Sequence, residues 1–389
     1  MIKMITAYTE EVDEIEEGVA EILGQIDLGA LRKNSVGFVT CHFDFVDSGF
    51  IGELSGKLPF DLIGMTTMIS RNTHGQGMYS LSLTVLTSDE VIFETTISET
   101  LGAGDYKEKI KAAYSGAAAK LPGEPSLILA FLPYIKEASG ALIHRALDEA
   151  CGGIPIWGSL ASNTELTIER CFVFRNGEID KNGVAMILIH GRIDPEFIVV
   201  SLPADNIRES RGLVTASENC TLKEVNGITA QKYMENLGVT VMKNAPVVWP
   251  LMIYYEGSAE PVALAIYSAN DDGSLECGGE MTKGASVTVG EITTEGILQS
   301  AGKCVDLVLK SGKRGGALFM PCVGRYLMLA PDNNAELAVI ADKMEKGDIT
   351  PFTPAYAVAY SGGEICPTRD EAGVLRNRFH NHTFSACVF

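Results

Sequence analysis

Apolar residues recur along this chain in two rhythms. Val12, Ile15, Val19, Ile22, Leu23 and Ile26 follow one another at spacings of three, four and seven, which predicts an amphipathic helix beginning near Thr9, after an extended segment at 2–8. Residues 35–41, Ser-Val-Gly-Phe-Val-Thr-Cys, form a short apolar run of the kind found in a sheet covered on both faces. The opening therefore reads as an α/β unit.

The same pattern occurs three times with variable insertions. In the first copy the strand at 35–41 and a short helical segment lead through Leu62-Ile63 into Gly64-Met65-Thr66-Thr67, and an alternating strand at 79–86 closes the unit. In the second, a strand at 126–132 and a helix at 136–151 lead through Ile156-Trp157 into Gly158-Ser159-Leu160-Ala161. Strands at 171–175 and 184–190 then form a predicted hairpin around Asn176-Gly177, a strong turn dipeptide. In the third, a strand at 316–320 precedes a helix at 333–346, with Leu337, Ile340, Ala341 and Met344 on one face. Asn333 and Glu336 have capping-box spacing there, and Gly347 stands where a helix stop is expected. Residues 355–360 enter Ser361-Gly362-Gly363-Glu364, and 383–389 is the last strand.

Between the second and third copies lie a helix-like stretch at 227–237, strands at 247–255 and 261–267, a turn at 271–274 and a helix at 294–309. Charges at Asp205, Arg208, Glu209, Arg211 and Glu218 interrupt the apolar periodicity over 204–225. The expected fold class is α/β: two domains, 1–210 and 211–389, of mixed sheets flanked by helices, built from about three related strand-helix-strand-hairpin units.

Composition narrows the function. Of 389 residues, 46% are hydrophobic and 21% charged, enough for a well-buried core and too little charge for a disordered chain. The net charge of −19, with no basic cluster longer than Lys313-Arg314, would repel a phosphate backbone, which excludes nucleic acid as a partner. No window approaches a membrane span, and the N-terminus runs into Glu10-Glu11-Val12-Asp13-Glu14 instead of a signal peptide, so a cytoplasmic chain is expected. Nine scattered cysteines, none at C-x-x-C spacing, suit a reducing compartment.

The repeated glycine turns at Gly64, Gly158 and Gly362 would expose backbone N–H groups beside small hydroxylated residues, and they are candidate walls of a pocket; the alternative is a tight turn with no other role. Arg325 follows a buried-type strand at its carboxyl end, where α/β folds place ligands. Its guanidinium would hold a carboxylate while Glu364 accepts from an amino group, a pair suited to a zwitterion. Alternatively Arg325 and Glu364 pair with each other as a structural bridge. His380 and His382 share a strand face and open a metal reading, but no ligand set accompanies them; Asn381 and Thr383 offer ligand hydrogen bonds or a strand cap. An enzymatic alternative uses Cys322 as nucleophile with His380 or His382 as base. No Gly-x-Ser-x-Gly elbow, Walker A loop or His-Glu-x-x-His motif is present. A third class is a pure interaction module.

Several of these stretches, in order over 28–389, resemble the FIST sensory domains, named for F-box and intracellular signal transduction. The residues that carry the likeness are Leu62-Ile63-Gly64-Met65-Thr66-Thr67, Ile156-Trp157-Gly158-Ser159-Leu160-Ala161-Ser162-Asn163, Phe174-Arg175-Asn176-Gly177, Val225-Asn226-Gly227, Pro321-Cys322-Val323-Gly324-Arg325, Ser361-Gly362-Gly363-Glu364-Ile365-Cys366-Pro367 and Phe379-His380-Asn381-His382-Thr383. Pro321 and Met65 depart from the family pattern. The resemblance implies a cytoplasmic sensor that binds an amino acid or related metabolite. Arg325, Glu364, Cys322, Thr66, Thr67, Ser159, Asn163, Gly362, Asn381 and Thr383 are the candidate ligand residues, and no catalysis is expected. No cofactor is expected either; the alternative, opened by the resemblance, is haem on His380 or His382, as in a nitric oxide sensor. Output would pass to a separate signalling protein or to self-association.

Overall fold

The computed structural model describes residues 1–135, 138–243, 247–258, 260–346 and 355–389. The first unit runs β1 (Lys3–Thr9), α1 (Ile15–Gly24), β2 (Asn34–Cys41), α2 (Phe50–Lys57), β3 (Leu62–Thr66), β4 (Ser70–Asn72) and β5 (Leu81–Ser88). The second repeats this order as β6 (Ile92–Ile97), α3 (Tyr106–Ala118), β7 (Leu127–Leu132), α4 (Gly140–Cys151), β8 (Ile156–Leu160), β9 (Val173–Arg175) and β10 (Ala185–His190). The third begins with β11 (Glu196–Val200) and resumes, after a long insertion, as α5 (Thr294–Lys310), β12 (Ala317–Pro321), α6 (Ala335–Lys346), β13 (Tyr356–Ala359), β14 (Glu364–Ile365), β15 (Phe379–His380) and β16 (Phe384–Val388).

Each unit builds one sheet around a parallel pair, β2 with β3, β7 with β8, and β12 with β13. The closing strand of the unit pairs antiparallel with the first member, and the opening strand with the closing one. The remaining edge comes from a different unit. β9 pairs with β3, β14 with β8, and β4 with β13, so the three sheets exchange strands in a closed cycle.

The strand periodicity explains the layers. Val36 and Phe38, Leu129 and Phe131, and Leu318 and Met320 point inward to one core shared by all three sheets. Phe38 of the first sheet stacks on Phe131 of the second at 4.4 Å between centroids. The alternate residues face outward: Val39 and Cys41 meet α1 and α2, Ile128 and Ala130 meet α3 and α4, and Phe319 and Val358 meet α5 and α6. Both faces are covered, which is why these strands read as continuous apolar runs. The insertion between Gly212 and Val289 forms a separate antiparallel sheet of seven strands with its own core.

Several details differ from the sequence reading. The hairpin at Asn176-Gly177 pairs Val173–Arg175 with Glu178–Asp180, whereas β10 lies in another sheet against β6 and β7. The helix expected at 136–151 is Gly140–Cys151, begun by Ser139 Oγ accepting from Leu142 N–H; residues 136–137 lie outside those described. Glu336 forms no capping box, because it is buried against Arg325, and the stop expected at Gly347 also lies outside the described residues.

Candidate functional site

The parallel pairs end at a common level. Just past each second strand an N–H is donated to the last residue of the first: Thr67 to Cys41 O, Ala161 to Leu132 O and Ser361 to Pro321 O, all at 2.9–3.0 Å. There the three turns grip one another. Ser162 N–H donates to Thr66 O and Gly362 N–H to Leu160 O, both at 3.0 Å. The third arm is built differently, since the Ser162 hydroxyl accepts from Met68 N–H at 3.1 Å and donates to Tyr360 O at 2.7 Å. Thr67 Oγ1 also donates to Tyr360 O, at 2.8 Å. All three units thus meet at one hydrogen-bonded junction.

Gly362 belongs to this junction, but Gly64 and Gly158 lie inside β3 and β8, so they form neither pocket wall nor tight turn. A Cβ on Gly158 would fall 1.8 Å from Ala130 O, and one on Gly64 2.2 Å from Val39 O. Their lack of a side chain serves close strand contact.

Beside the junction lies a buried polar cluster. Glu364 Oε2 accepts from Thr383 N–H at 3.2 Å and from its hydroxyl at 2.7 Å, while Oε1 has no hydrogen-bond partner among the described residues. Burial pushes this carboxyl up to about 8, although the Thr383, Cys322 and Ser361 groups around it favour its charged form. Burial, with the nearby Glu364, likewise drives the Cys322 thiol well above its ordinary range. Ser159 is buried, faces Glu364 across paired backbones and donates its hydroxyl to Leu160 O at 3.0 Å. Asn381 ties the cluster to the seven-stranded sheet, its N–H donating to Ala263 O at 2.8 Å and its Oδ1 accepting from Ala265 N–H at 3.0 Å.

Arg325 stands apart from Glu364. It is fully buried, and its Nε and Nη2 donate to Glu336 Oε1 at 2.9 and 2.5 Å. Nη2 also reaches Ile297 O at 2.9 Å and Ser300 Oγ at 2.8 Å. The Tyr360 hydroxyl completes the set by donating to Glu336 Oε2 at 2.8 Å. The expected bridge to Glu364 is therefore replaced by one to Glu336, and the guanidinium is committed to the protein, not open to a ligand carboxylate. The reason is topological: α6 packs on the outer face of the third sheet and brings Glu336 over the short helix Val323–Met328 that carries Arg325.

A cavity of about 150 Å³ adjoins the junction, walled by Tyr134, Ser162, Asn163, Cys171, Val323 and Gly362 among others. Tyr134 donates its hydroxyl to Gly362 O at 3.0 Å, and the charges felt by its buried phenol include Glu364. Asn163 orders the loop over this cavity, donating to Thr167 O and accepting from Glu165 N–H at 2.9 Å. A second and larger cavity, about 670 Å³, opens between the third sheet, α5 and the seven-stranded sheet.

His380 Nε2 is bonded to Cys366 O at 3.0 Å, the His382 ring lies against Gly324, and neither lines either cavity. Among the described residues no three His, Cys, Asp or Glu side chains gather with metal-ligand spacing.

Two family models match the chain, the FIST N domain over residues 35–228 and the FIST C domain over 228–367. The chain belongs to the FIST family. Comparison with curated proteins finds no match. Among solved structures, this FIST chain is similar to a cyanuric acid hydrolase from A. caulinodans at 10% identity and a TM-score of 0.34, over 100% of this chain and 99% of that one. A likeness at that level assigns no activity. Of the residues singled out from the sequence of this FIST chain, Thr66, Thr67 and Gly362 meet at the junction, Cys322, Glu364 and Thr383 form the cluster beside it, and Asn163 and Gly362 wall the cavity. Tyr134, Ser162 and Glu336 were missed. The registers of the three parallel pairs place Ser162 level with Met68 and Gly362, an equivalence that insertions of different length conceal in the sequence.

Proposed function

We propose, from the association of FIST domains with sensory signal transduction, that this chain is a cytoplasmic sensor that takes a small amine-bearing metabolite, an amino acid or a relative, at the junction of its three units. The observation that carries this reading is Glu364, a fully buried carboxyl with one oxygen unpartnered among the described residues, two positions along the chain from Gly362 in the wall of the small cavity. Such a group is costly unless something completes it, and a ligand ammonium would do so. With water at ~30 Å³ per molecule, the cavity holds a ligand of a handful of non-hydrogen atoms. The reading involves no catalysis: the Cys322 thiol is pushed up by burial, and no hydrogen bond joins it to a histidine among the described residues. All nine cysteines are free and buried, in keeping with a reducing compartment, and no helix among the described residues is long and apolar enough to cross a membrane. Output passes to a separate signalling protein or a second copy.

A thermal-shift screen of amino acids and small amines tests this. A ligand at 100 times its Kd adds about 2.7 kcal/mol to stability. Because Glu364 must ionise to receive an ammonium, affinity should rise with pH up to about 8 and release a proton on binding. The Glu364→Gln variant should lose both affinity and this pH dependence. Undiminished binding by that variant would end the proposal.

A further inference from the structure

The larger cavity carries charges of both signs. Arg208, Arg211 and Lys303 line it together with Asp205, Glu209 and Glu260, and none of these six forms an ion pair among the described residues. Elsewhere in the molecule arginines find carboxylates: Arg71 binds Glu345, Arg145 binds Glu280 and Arg175 binds Asp61. The cavity arginines are instead steadied by aromatic rings. Arg211 Cζ sits 3.5 Å from the centre of the Tyr254 ring, and Arg208 lies over Trp249 at 5.5 Å while donating to Leu237 O. Stacking fixes the guanidinium plane, and apart from the Arg208 Nη1 donor given to Leu237 O the edge donors of the two arginines have no partner among the described residues, the arrangement that suits a carboxylate.

We propose that this cleft binds a short zwitterionic peptide, with its terminal carboxylate on Arg211 and Arg208 and its terminal ammonium on Glu260 and Asp205. Three positive and three negative side chains balance, so a ligand of one sign gains nothing over one that bears both. Size selects the peptide over a free amino acid: a cavity of about 670 Å³ lies in the range that encloses ligands of drug size, roughly 300–1,000 Å³. The site is independent of the junction cavity and of the amine-sensing reading.

Isothermal titration with trialanine, its N-acetylated form, its C-amidated form and free alanine tests the assignment. Trialanine should bind the full chain, and removing either terminal charge should weaken it about tenfold or more, as expected for a charge-assisted hydrogen bond. Arg211→Gln and Glu260→Gln, both at exposed positions, should each weaken trialanine about tenfold without lowering the melting temperature. On Arg211→Gln the C-amidated peptide should bind no worse than trialanine, because the partner of the carboxylate is already gone. Glu364→Gln should leave trialanine binding unchanged, which keeps failure at the junction separate from failure here. Equal affinity for blocked and free peptides, tighter binding of free alanine, or no heat with trialanine at millimolar concentration would each overturn the proposal.

Discussion

Arg325 and Glu336 are buried together, so each depends on the other to offset its desolvation. Arg325→Ala strands the Glu336 carboxylate and should cost about 3–5 kcal/mol in urea unfolding, whereas Arg325→Met combined with Glu336→Gln should recover most of the loss. A Glu364→Gln partner in place of Glu336→Gln should recover none. Buried titrating groups set a pH profile of opposite slopes. His144, His380 and His382 are held down to about 4 by burial, so the folded state binds fewer protons than the unfolded chain between about 4 and 6.5, and stability rises with pH there. Glu364 does the reverse: held up to about 8, it keeps a proton that the unfolded chain has released, and its contribution falls as pH rises from about 4.3 to 8. Stability should therefore peak near pH 6.5, and Glu364→Gln should flatten the decline above it. A decline that persists in this variant would show that other groups cause it.

The turns and the parallel strand pairs are the elements most sensitive to single atoms. Ser162 supplies the hydroxyl that joins Met68 N–H to Tyr360 O, where the other two arms use direct backbone bonds. Ser162→Ala leaves a buried N–H without its acceptor and should destabilise by about 1–3 kcal/mol, with faster hydrogen exchange at Met68 as its signature. Gly158→Ala should be worse. A Cβ 1.8 Å from Ala130 O cannot be accommodated by a side-chain shift, because the obstacle is backbone, so β7 and β8 must separate. A loss of about 3 kcal/mol or failure to fold is expected by circular dichroism, while Gly56→Ala, with open space around it, should be tolerated.

Across the whole molecule, the exchange of strands makes the three units mutually dependent. A fragment ending at 210 would leave β8 without β14, and β4 and β11 without β13 and β16. Each loss exposes an unpaired sheet edge and part of the shared core. This fragment should show no cooperative thermal transition, whereas the full chain should unfold its three-sheet body as one unit. Independent folding of 1–210 with a sharp transition would mean that the exchanged strands contribute little.

The periodicities of the chain determined its elements, because a strand covered on both faces needs an unbroken apolar run and a helix packed on a sheet needs one apolar stripe. Residues 35–41, 126–132 and 316–320 were legible as equivalent strands for that reason, and the repeat of three followed. Membership of the FIST family was legible as well, since its motifs are runs of adjacent residues. What adjacency cannot express is which edge a strand joins, and β4, β9 and β14 all cross to another unit's sheet. The partner of Arg325 was lost in the same way. Glu336 and Glu364 are both carboxylates near it in sequence, and only the packing of α6 over Val323–Met328 decided between them. The charges at Asp205, Arg208, Glu209 and Arg211 looked like a break between domains because they interrupt the apolar pattern. Tertiary structure turned that break into the wall of a cleft, since Tyr254 and Lys303, far along the chain, are brought against it by the seven-stranded sheet and α5. Local pattern carries the information for what is buried within an element, and long-range packing alone chooses which polar groups face one another.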